Sequence, residues 1–410
     1  MIKILIVEDN ASKARDVVRE IKSNANVEDE SIEIVDNSKD AKKRLSKTRY
    51  DLMILDMNLP KRIGEDPSKS EGITVLNFIK TNKKAIQPDF VVGLTLFDEE
   101  YLHAMQSFNS MVFKLLKFDD EGAWKPQVRN AVDYLVSKDF PPYFNDGQTY
   151  HTDIGIVCAL DEELDSVLAL FNGWETIKII GDSTSYNRVY VKVGERLISI
   201  VAAACPKMGL SFASTITTKM IMSFRPKYFA MTGICAGVRD KTNYGDILIA
   251  DPIFDWGGGK WVSNPGDDTL RFRPAPYPWR LDEDFKEVLK EIATRQNLNQ
   301  ITDDFTGDKP NKELAVHIDA MASGGSVLQA NRLMEDVREQ HKNLIGIEME
   351  TYGIFTAAKH VSNPKPICFS IKSVCDFGDE DKNDEYHDYA SYTSAKFLTL
   401  VINKVFSDEY

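Results

Sequence analysis

Short apolar runs that alternate with amphipathic stretches constrain the fold of this chain more than any other feature. Up to about residue 138 the order is KILIVED, a helical stretch over about residues 12–23, IEIVD, a second over 41–46, DLMILDM, a third over 72–80, FVVGLTL, MVFKLL and a last helix near 127–136. Strand-length runs separated by helix-length segments are the pattern of parallel strands joined by helical crossovers, so an open sheet with helices on both faces is expected. The segment KDFPPYFNDGQTYHT then loses all periodicity and carries two adjacent prolines and a DG turn, the marks of a linker. A second series opens with DIGIVCAL and continues through RVYVKV, RLISIVAAA, YFAMTGI, DILIAD and PICFSIKSV. Helical stretches are expected over 213–223, 283–295, 327–340, 350–360 and 392–405. The chain has 410 residues, more than the ~250–300 at which a single core stops growing. Two α/β domains are therefore expected, residues 1–138 and 152–410, joined by a linker over 139–151.

Composition narrows the function. The net charge of −13 repels phosphodiester backbones, and no basic stripe or helix-turn-helix offsets it, so a nucleic-acid partner is not expected. No apolar run is long enough to span a bilayer, and MIKILIVEDN carries acid where a secretory leader carries basic residues. The reading is a cytoplasmic protein without a membrane partner. Cys158, Cys205, Cys235, Cys368 and Cys375 show no CxxC spacing and sit mostly in apolar runs, as reduced core thiols do.

Acids and hydroxyls at strand ends are the first candidate site, because ligands of open parallel sheets sit at the carboxyl ends of the strands. Glu8 and Asp9 follow the first run and Asp56 follows DLMIL. Three converging carboxylates make an all-oxygen site that suits Mg2+. Thr95 ends FVVGLTL, and Lys114 or Lys117 supplies a cation after the fifth run. Singly, Glu8 and Asp9 read as solvated loop acids and Asp56 as a helix cap. As a set, IVEDN, ILDMNLP, LT and a late FK resemble the response-regulator receiver family. That resemblance implies a flavodoxin-like (CheY-like) fold, Mg2+ on Glu8, Asp9 and Asp56, phosphorylation of Asp56 by a sensor histidine kinase, and a switch formed by Thr95 with Lys114 or Lys117. Two departures stand out: residues 61–71 (KRIGEDPSKSE) look inserted, and no Lys-Pro follows the fifth run, so the choice of lysine stays open.

The second candidate site is spread over four segments. DIGIVCALDEEL brings three acids to a helix start, where the helix dipole alone would favour them. YFAMTGICAGV turns on small residues, which lets backbone N–H groups approach a ligand. GIEMETYG places Met349 and Glu350 at a strand-to-helix junction, and FSIKSVCDFGD ends a strand on Asp376. Together they resemble the nucleoside phosphorylase superfamily, especially nucleosidases that release adenine from methylthioadenosine, S-adenosylhomocysteine or AMP. The resemblance implies a three-layer α/β/α domain and a symmetric homo-oligomer, with Glu163 and Asp376 as the catalytic pair. Glu163 would activate water, Met349 and Glu350 would hold the ribose, Thr232 and Gly233 would approach the substrate, and Asp376 would face N7 and the exocyclic amine.

Cleaving an N-glycosidic bond puts positive charge on the ribose and negative charge on the purine, which is why acids near the sugar and a proton donor near N7 are needed. Burial should keep Asp376 partly protonated, and an Asp there favours a base that donates from its 6-position, hence adenine. No cofactor is needed for that cleavage. Where the family has an acid after Ser-Gly, Gly325 stands here.

The pairing of the two domains resembles the effectors of the Detocs class of anti-phage two-component systems, which implies a phosphorylation-controlled enzyme that depletes ATP. A 5′-triphosphate needs cations, and Lys207, Arg271 and Arg273, with Arg239, Lys260 and Arg280, are the candidates. An apolar 5′-pocket would instead favour methylthioadenosine. Further alternatives are an AMP-type nucleosidase, a phosphorylase, and a non-catalytic nucleoside sensor.

Overall fold

The computed structural model of the protein describes residues 2–24, 26–96, 114–119, 121–263, 270–328, 331–380 and 384–407. It divides into two compact units, Met1–Phe144 and Asn145–Tyr410. The division lies inside the span expected to be linker.

The first unit is a five-stranded parallel sheet of β1 (Ile4–Val7), β2 (Ile32–Val35), β3 (Leu52–Asp56), β4 (Phe90–Thr95) and β5 (Lys114–Lys117). Its strand order is β2-β1-β3-β4-β5, the flavodoxin-like arrangement with a switch point between β1 and β3. Alternation along each strand builds two cores. Ile4, Ile6, Leu52 and Ile54 pack with Val17 and Ile21 of α1 (Ala11–Ile21) and with Val128, Val132 and Leu135 of α4 (Trp124–Asp139). Leu5, Val7, Met53 and Leu55 face the other way, onto Ala41 and Leu45 of α2 (Ser38–Leu45) and Val75, Leu76 and Ile79 of α3 (Glu71–Thr81). Each such fully buried side chain contributes about 1.5–3 kcal/mol. The run MVFKLL yields a strand only from Lys114, because residues 111–113 lie outside those described. Residues 61–70 form an exposed loop whose neck is closed by paired hydrogen bonds between Leu59 and Ser68.

The second unit is built on a nine-stranded mixed sheet. Its strands are β6 (Thr152–Cys158), β7 (Glu175–Ile177), β8 (Tyr186–Val193), β9 (Arg196–Ala204), β10 (Pro226–Gly237), β11 (Ile247–Asp255), β14 (Val316–Ser323), β15 (Gly346–Glu348) and β16 (Ile367–Asp376). The order is β15-β14-β11-β16-β10-β6-β9-β8-β7, and β15 pairs with β10 as well. This extra pairing closes part of the sheet on itself, a detail that the expected three-layer α/β/α arrangement did not specify. Strands β12 (Gly259–Ser263) and β13 (Leu270–Pro274) form a separate hairpin.

One face of the sheet is covered by α5 (Asp161–Leu168), α7 (Glu283–Ile292), α8 (Arg295–Asp303) and α11 (His387–Ser407), whose apolar sides join Ile154, Ile156, Ala230 and Phe369 in a single core. The helix expected over 283–295 is thus two, since Asp282 caps α7 and Thr294 caps α8 through side-chain oxygens. Helices α6 (Leu210–Phe224) and α10 (Thr351–His360) pair with each other, α6 also touching β6 and α10 touching β16. A short α9 (Asn331–Arg338) packs Met334 and Val337 beside Phe254. All five cysteines are buried and none is in a disulfide. No described helix is long and apolar enough to cross a membrane.

Candidate active site

Strands β6, β10 and β16 run parallel, so their carboxyl ends lie side by side. A cavity of about 270 Å³ opens there, near the lower end of the ~300–1,000 Å³ usual for small-molecule clefts. Its wall includes Glu163, Glu348, Met349, Glu350, Asp376, Asp384 and His387, with Leu160, Met208, Val327, Leu328 and Ile347 as apolar lining. Residues from widely separated stretches of sequence therefore meet in one place.

Glu163 sits in the first turn of α5 and is 2% exposed. Its Oε2 accepts from the N–H groups of Ala159 (2.7 Å) and Leu160 (3.0 Å), and its Oε1 accepts from Ile234 N–H (2.8 Å). The bond from Leu160 is half of a capping box, so local helix chemistry and strand β10, which runs on through the segment expected to turn, hold the same carboxylate. Gly233 makes this possible. At φ +149° it adopts backbone that side chains rarely take, and a Cβ there would lie 2.0 Å from Glu163 Oε1. Thr232 does not line the cavity, and its Oγ1 lies 3.4 Å from Cys158 Sγ. Thr232 and Gly233, expected to touch substrate, are thus not among the residues that line the cavity, and Gly233 leaves room for the acid.

Glu350 occupies the N-cap of α10 and accepts from Gly209 N–H at 2.8 Å. Burial pushes its carboxyl up to about 7, Lys372 opposing the shift and Glu348 adding to it. Glu348, which the sequence analysis did not single out, braces this junction. Its Oε2 accepts from the N–H groups of Glu350 and Thr351, both at 2.8 Å, and its Oε1 bonds the Ser323 hydroxyl. Asp376 closes β16, 3% exposed, and accepts from Gly378 N–H at 2.7 Å.

Sequence reading missed the cation at the centre. Lys372 on β16 is fully buried, paired in register with Gly233, and its Nζ lies 3.9 Å from Glu163 Oε1 and 3.8 Å from Glu350 Oε2. Burial alone would depress its ammonium, but Glu163, Glu350 and Glu348 more than offset that and raise it. The signal was available: a lysine inside the apolar run CFSIKSV is costly to bury unless it is paired.

A family model described as "Phosphorylase superfamily" matches residues 153–407. The chain belongs to the Phosphorylase superfamily. The superfamily domain accounts for most of the second unit and makes it an enzyme of the nucleosidase kind. The whole chain is 29% identical to an uncharacterized protein, y4jS, of Sinorhizobium fredii, over 98% of this chain and 99% of that one. It is 26% identical to the ATP nucleosidase Cap17 of Escherichia coli over 60% of this chain, and it spans half the length of that protein. A 5′-methylthioadenosine/S-adenosylhomocysteine nucleosidase of Buchnera aphidicola is 22% identical over 62% of this chain and 97% of its own length.

Among the described residues no lysine or arginine lines the superfamily cavity. Lys207 is exposed beside Met208, which does line it. Arg271 and Arg273 lie exposed on β13, with Lys260 opposite Arg273 on β12. Arg280 is engaged by Asp251 at 3.0 Å, and Arg239 by Asp379 while stacking on Phe377. The expected cation cluster at the 5′-end is therefore not assembled within the cavity.

In the first unit, Glu8, Asp9 and Asp56 bring oxygens within 4.8 Å of one another at the ends of β1 and β3. Burial pushes Glu8 up to about 7, Lys13 opposing the shift and Asp56 adding to it. Burial also raises Asp9. Thr95 is buried at the end of β4 and pairs in register with Lys117. Lys114 pairs with Val92, toward the opposite end of the strands. Of the two lysines, Lys117 is the one at the carboxyl end of the strands.

Proposed function

We propose that the chain is a phosphorylation-regulated N-glycosidase that releases adenine from an adenine nucleotide, ATP first among them. The observation that carries this reading is the convergence of Glu163, Glu350 and Asp376 on one cavity, the first two paired with a fully buried lysine. Each group has work in that reaction. Glu163, held by three N–H donors, accepts a proton from water and orients it at the anomeric carbon, with Lys372 fixing the carboxylate from behind. Glu350 accepts hydrogen bonds from ribose hydroxyls, and its negative charge offsets the positive charge developing on the sugar. Asp376 faces the purine edge and donates toward N7 as the bond breaks. Water as nucleophile makes hydrolysis the reaction.

The first unit is, on this reading, a receiver. Its strand order, the position of Asp56 at the switch point and the neighbouring Thr95 and Lys117 support phosphorylation of Asp56 by a sensor kinase. The all-oxygen donor set of Glu8, Asp9 and Asp56 fits Mg2+, which would offset charge on a phosphoryl group there. Likeness to the ATP nucleosidase supports ATP as substrate, and the resemblance of the domain pairing to Detocs effectors supports a place in anti-phage defence.

A second substrate reading has its own observation. The cavity's apolar lining of Leu160, Met208, Val327 and Leu328, without a lining cation, suits an uncharged 5′-group such as that of methylthioadenosine.

Incubating the purified chain with ATP, AMP, adenosine and methylthioadenosine, with and without beryllofluoride, and separating free adenine by chromatography distinguishes these. Adenine from ATP, raised by beryllofluoride and abolished in Glu163→Gln and Asp376→Asn, is the expected result. Adenine from methylthioadenosine alone selects the second reading. Intact substrates throughout would remove the enzymatic account.

A further inference from the structure

Among the described residues, two groups of metal-ligating side chains bring one ligand atom each within 4.8 Å of one another. The acidic group belongs to the first unit. The other is Cys375, Asp376 and His387, and all three residues line the cavity of the candidate active site. Neither Cys375 nor His387 has a part in the cleavage proposed above. Cys375 is 2% exposed, and its Sγ lies 3.5 Å from Asp376 Oδ2. That is about the separation at which a tetrahedral metal holds a sulfur at ~2.3 Å and a carboxylate oxygen at ~2.0 Å. Asp376 is turned for this, because Gly378 N–H holds its Oδ1 at 2.7 Å and leaves Oδ2 on the side of the thiol. His387 opens α11, and its Nε2 lies 3.2 Å from Asp384 Oδ1, the carboxylate–histidine pairing that fixes the ring in metal sites. The end of β16 and the start of α11 therefore carry sulfur, oxygen and nitrogen donors to one point.

We propose that Cys375, Asp376 and His387 bind a thiophilic divalent cation of the Zn2+ class, and that its occupancy stops glycosidic cleavage. The inhibitory half rests on the role given above to Asp376. The donor set selects the metal: a thiolate with an imidazole and a carboxylate suits Zn2+, whereas Mg2+ takes oxygen ligands and keeps its waters. Three protein ligands leave a fourth position to water from the cavity. On binding, the Cys375 S–H bond breaks, its proton passes to solvent, and a sulfur lone pair forms the bond to the metal. No oxidation state changes. An Asp376 oxygen that coordinates the ion carries no proton for N7, and the ion takes up space at the purine edge of a cavity of only about 270 Å³.

The test uses the full chain with Mg2+ in excess, so that the acidic group of the first unit is not counted. Co2+ is the probe, since a thiolate ligand gives a near-ultraviolet charge-transfer band that carboxylates do not. One equivalent is expected to produce the band in the wild type and Zn2+ to abolish it, a measurement that needs no variant to fold. Cys375→Ser should lose the band, and His387→Gln should bind at least about tenfold more weakly. No band in the wild type, or an equal band in Cys375→Ser, overturns the site. Adenine release is followed in the same samples. Zn2+ is expected to lower it at least about tenfold in the wild type, reversibly with a zinc-selective chelator, and Cys375→Ser should need at least about tenfold more Zn2+ for the same loss. Unchanged or faster release with the site filled overturns the inhibition. Should the metal-free chain release no adenine from any substrate, the enzymatic reading and the inhibition fall together, while the cobalt band still decides the site.

Discussion

Replacing Lys372 by methionine tests the electrostatic centre of the site. The ammonium is fully buried and lies 3.9 and 3.8 Å from Glu163 and Glu350. At an effective dielectric constant of about 20, each attraction at that distance is about 4 kcal/mol, set against a desolvation cost of several kcal/mol for the buried lysine. The net value of the cluster is thus small, but removing one partner leaves its acids buried and uncompensated, which costs about 3–5 kcal/mol. Out of a total stability of ~5–15 kcal/mol, that is a large fraction. The deficit should depend on pH. Without Lys372, the folded-state value of Glu350 rises further above its ordinary one, so the variant loses most stability above that value and least below about 4.5, where the carboxyl is neutral. Urea unfolding at about pH 8 and about pH 5 measures this, and adenine release should drop at least about 100-fold at the higher pH. An equal deficit at both pH values, or none, would refute the assignment of Lys372 as counter-ion to these acids.

Gly233→Ala would push a methyl group to 2.0 Å from Glu163 Oε1 at φ +149°. Strain of about 1–3 kcal/mol and a loss of kcat well beyond any change in KM are expected from melts and kinetics. Because burial raises Glu350 to about 7, its contribution favours the folded state below its ordinary value near 4.5 and is lost as pH rises through 7. The full span is about 3 kcal/mol. Glu350→Gln should flatten that window in stability measured against pH, and an unchanged profile would contradict the burial argument. Asp251, whose side chain is fully buried, is paired with Arg280 (3.0 Å) and Lys286. Burial would raise its carboxyl, but Lys286 and Arg280 outweigh this and hold it below its ordinary value. Its stabilising contribution is therefore present above about 3.8 and lost on further acidification. Asp251→Asn should destabilise by about 3–5 kcal/mol in denaturant titrations at neutral pH.

Periodicity made the first unit legible. Ile4 and Ile6 alternate with Leu5 and Val7, and helix spacing puts Val17 and Ile21 on one stripe, so both cores can be read from short range. Lys13 shares that stripe at four-residue spacing, a signal present in the sequence but not used. The closing contact between β15 and β10 left no local trace, because pairing between strands so far apart depends on how the whole sheet curves. The acids were legible by motif, whereas the cations were not. Lys207, Arg271 and Arg273 were chosen for charge alone, and surface cations point wherever solvent favours them.

By itself the sequence determined where most of the central strands form, that there are two units, and which carboxylates stand at strand ends. Those properties follow from local periodicity and turn chemistry. Only the tertiary structure decided which cation each carboxylate meets: Lys372 for Glu163 and Glu350, and Lys13 for Glu8 and Asp56. A buried charge is tolerated only where another is held within a few ångströms, and that distance is set by the packing of elements far apart in the chain.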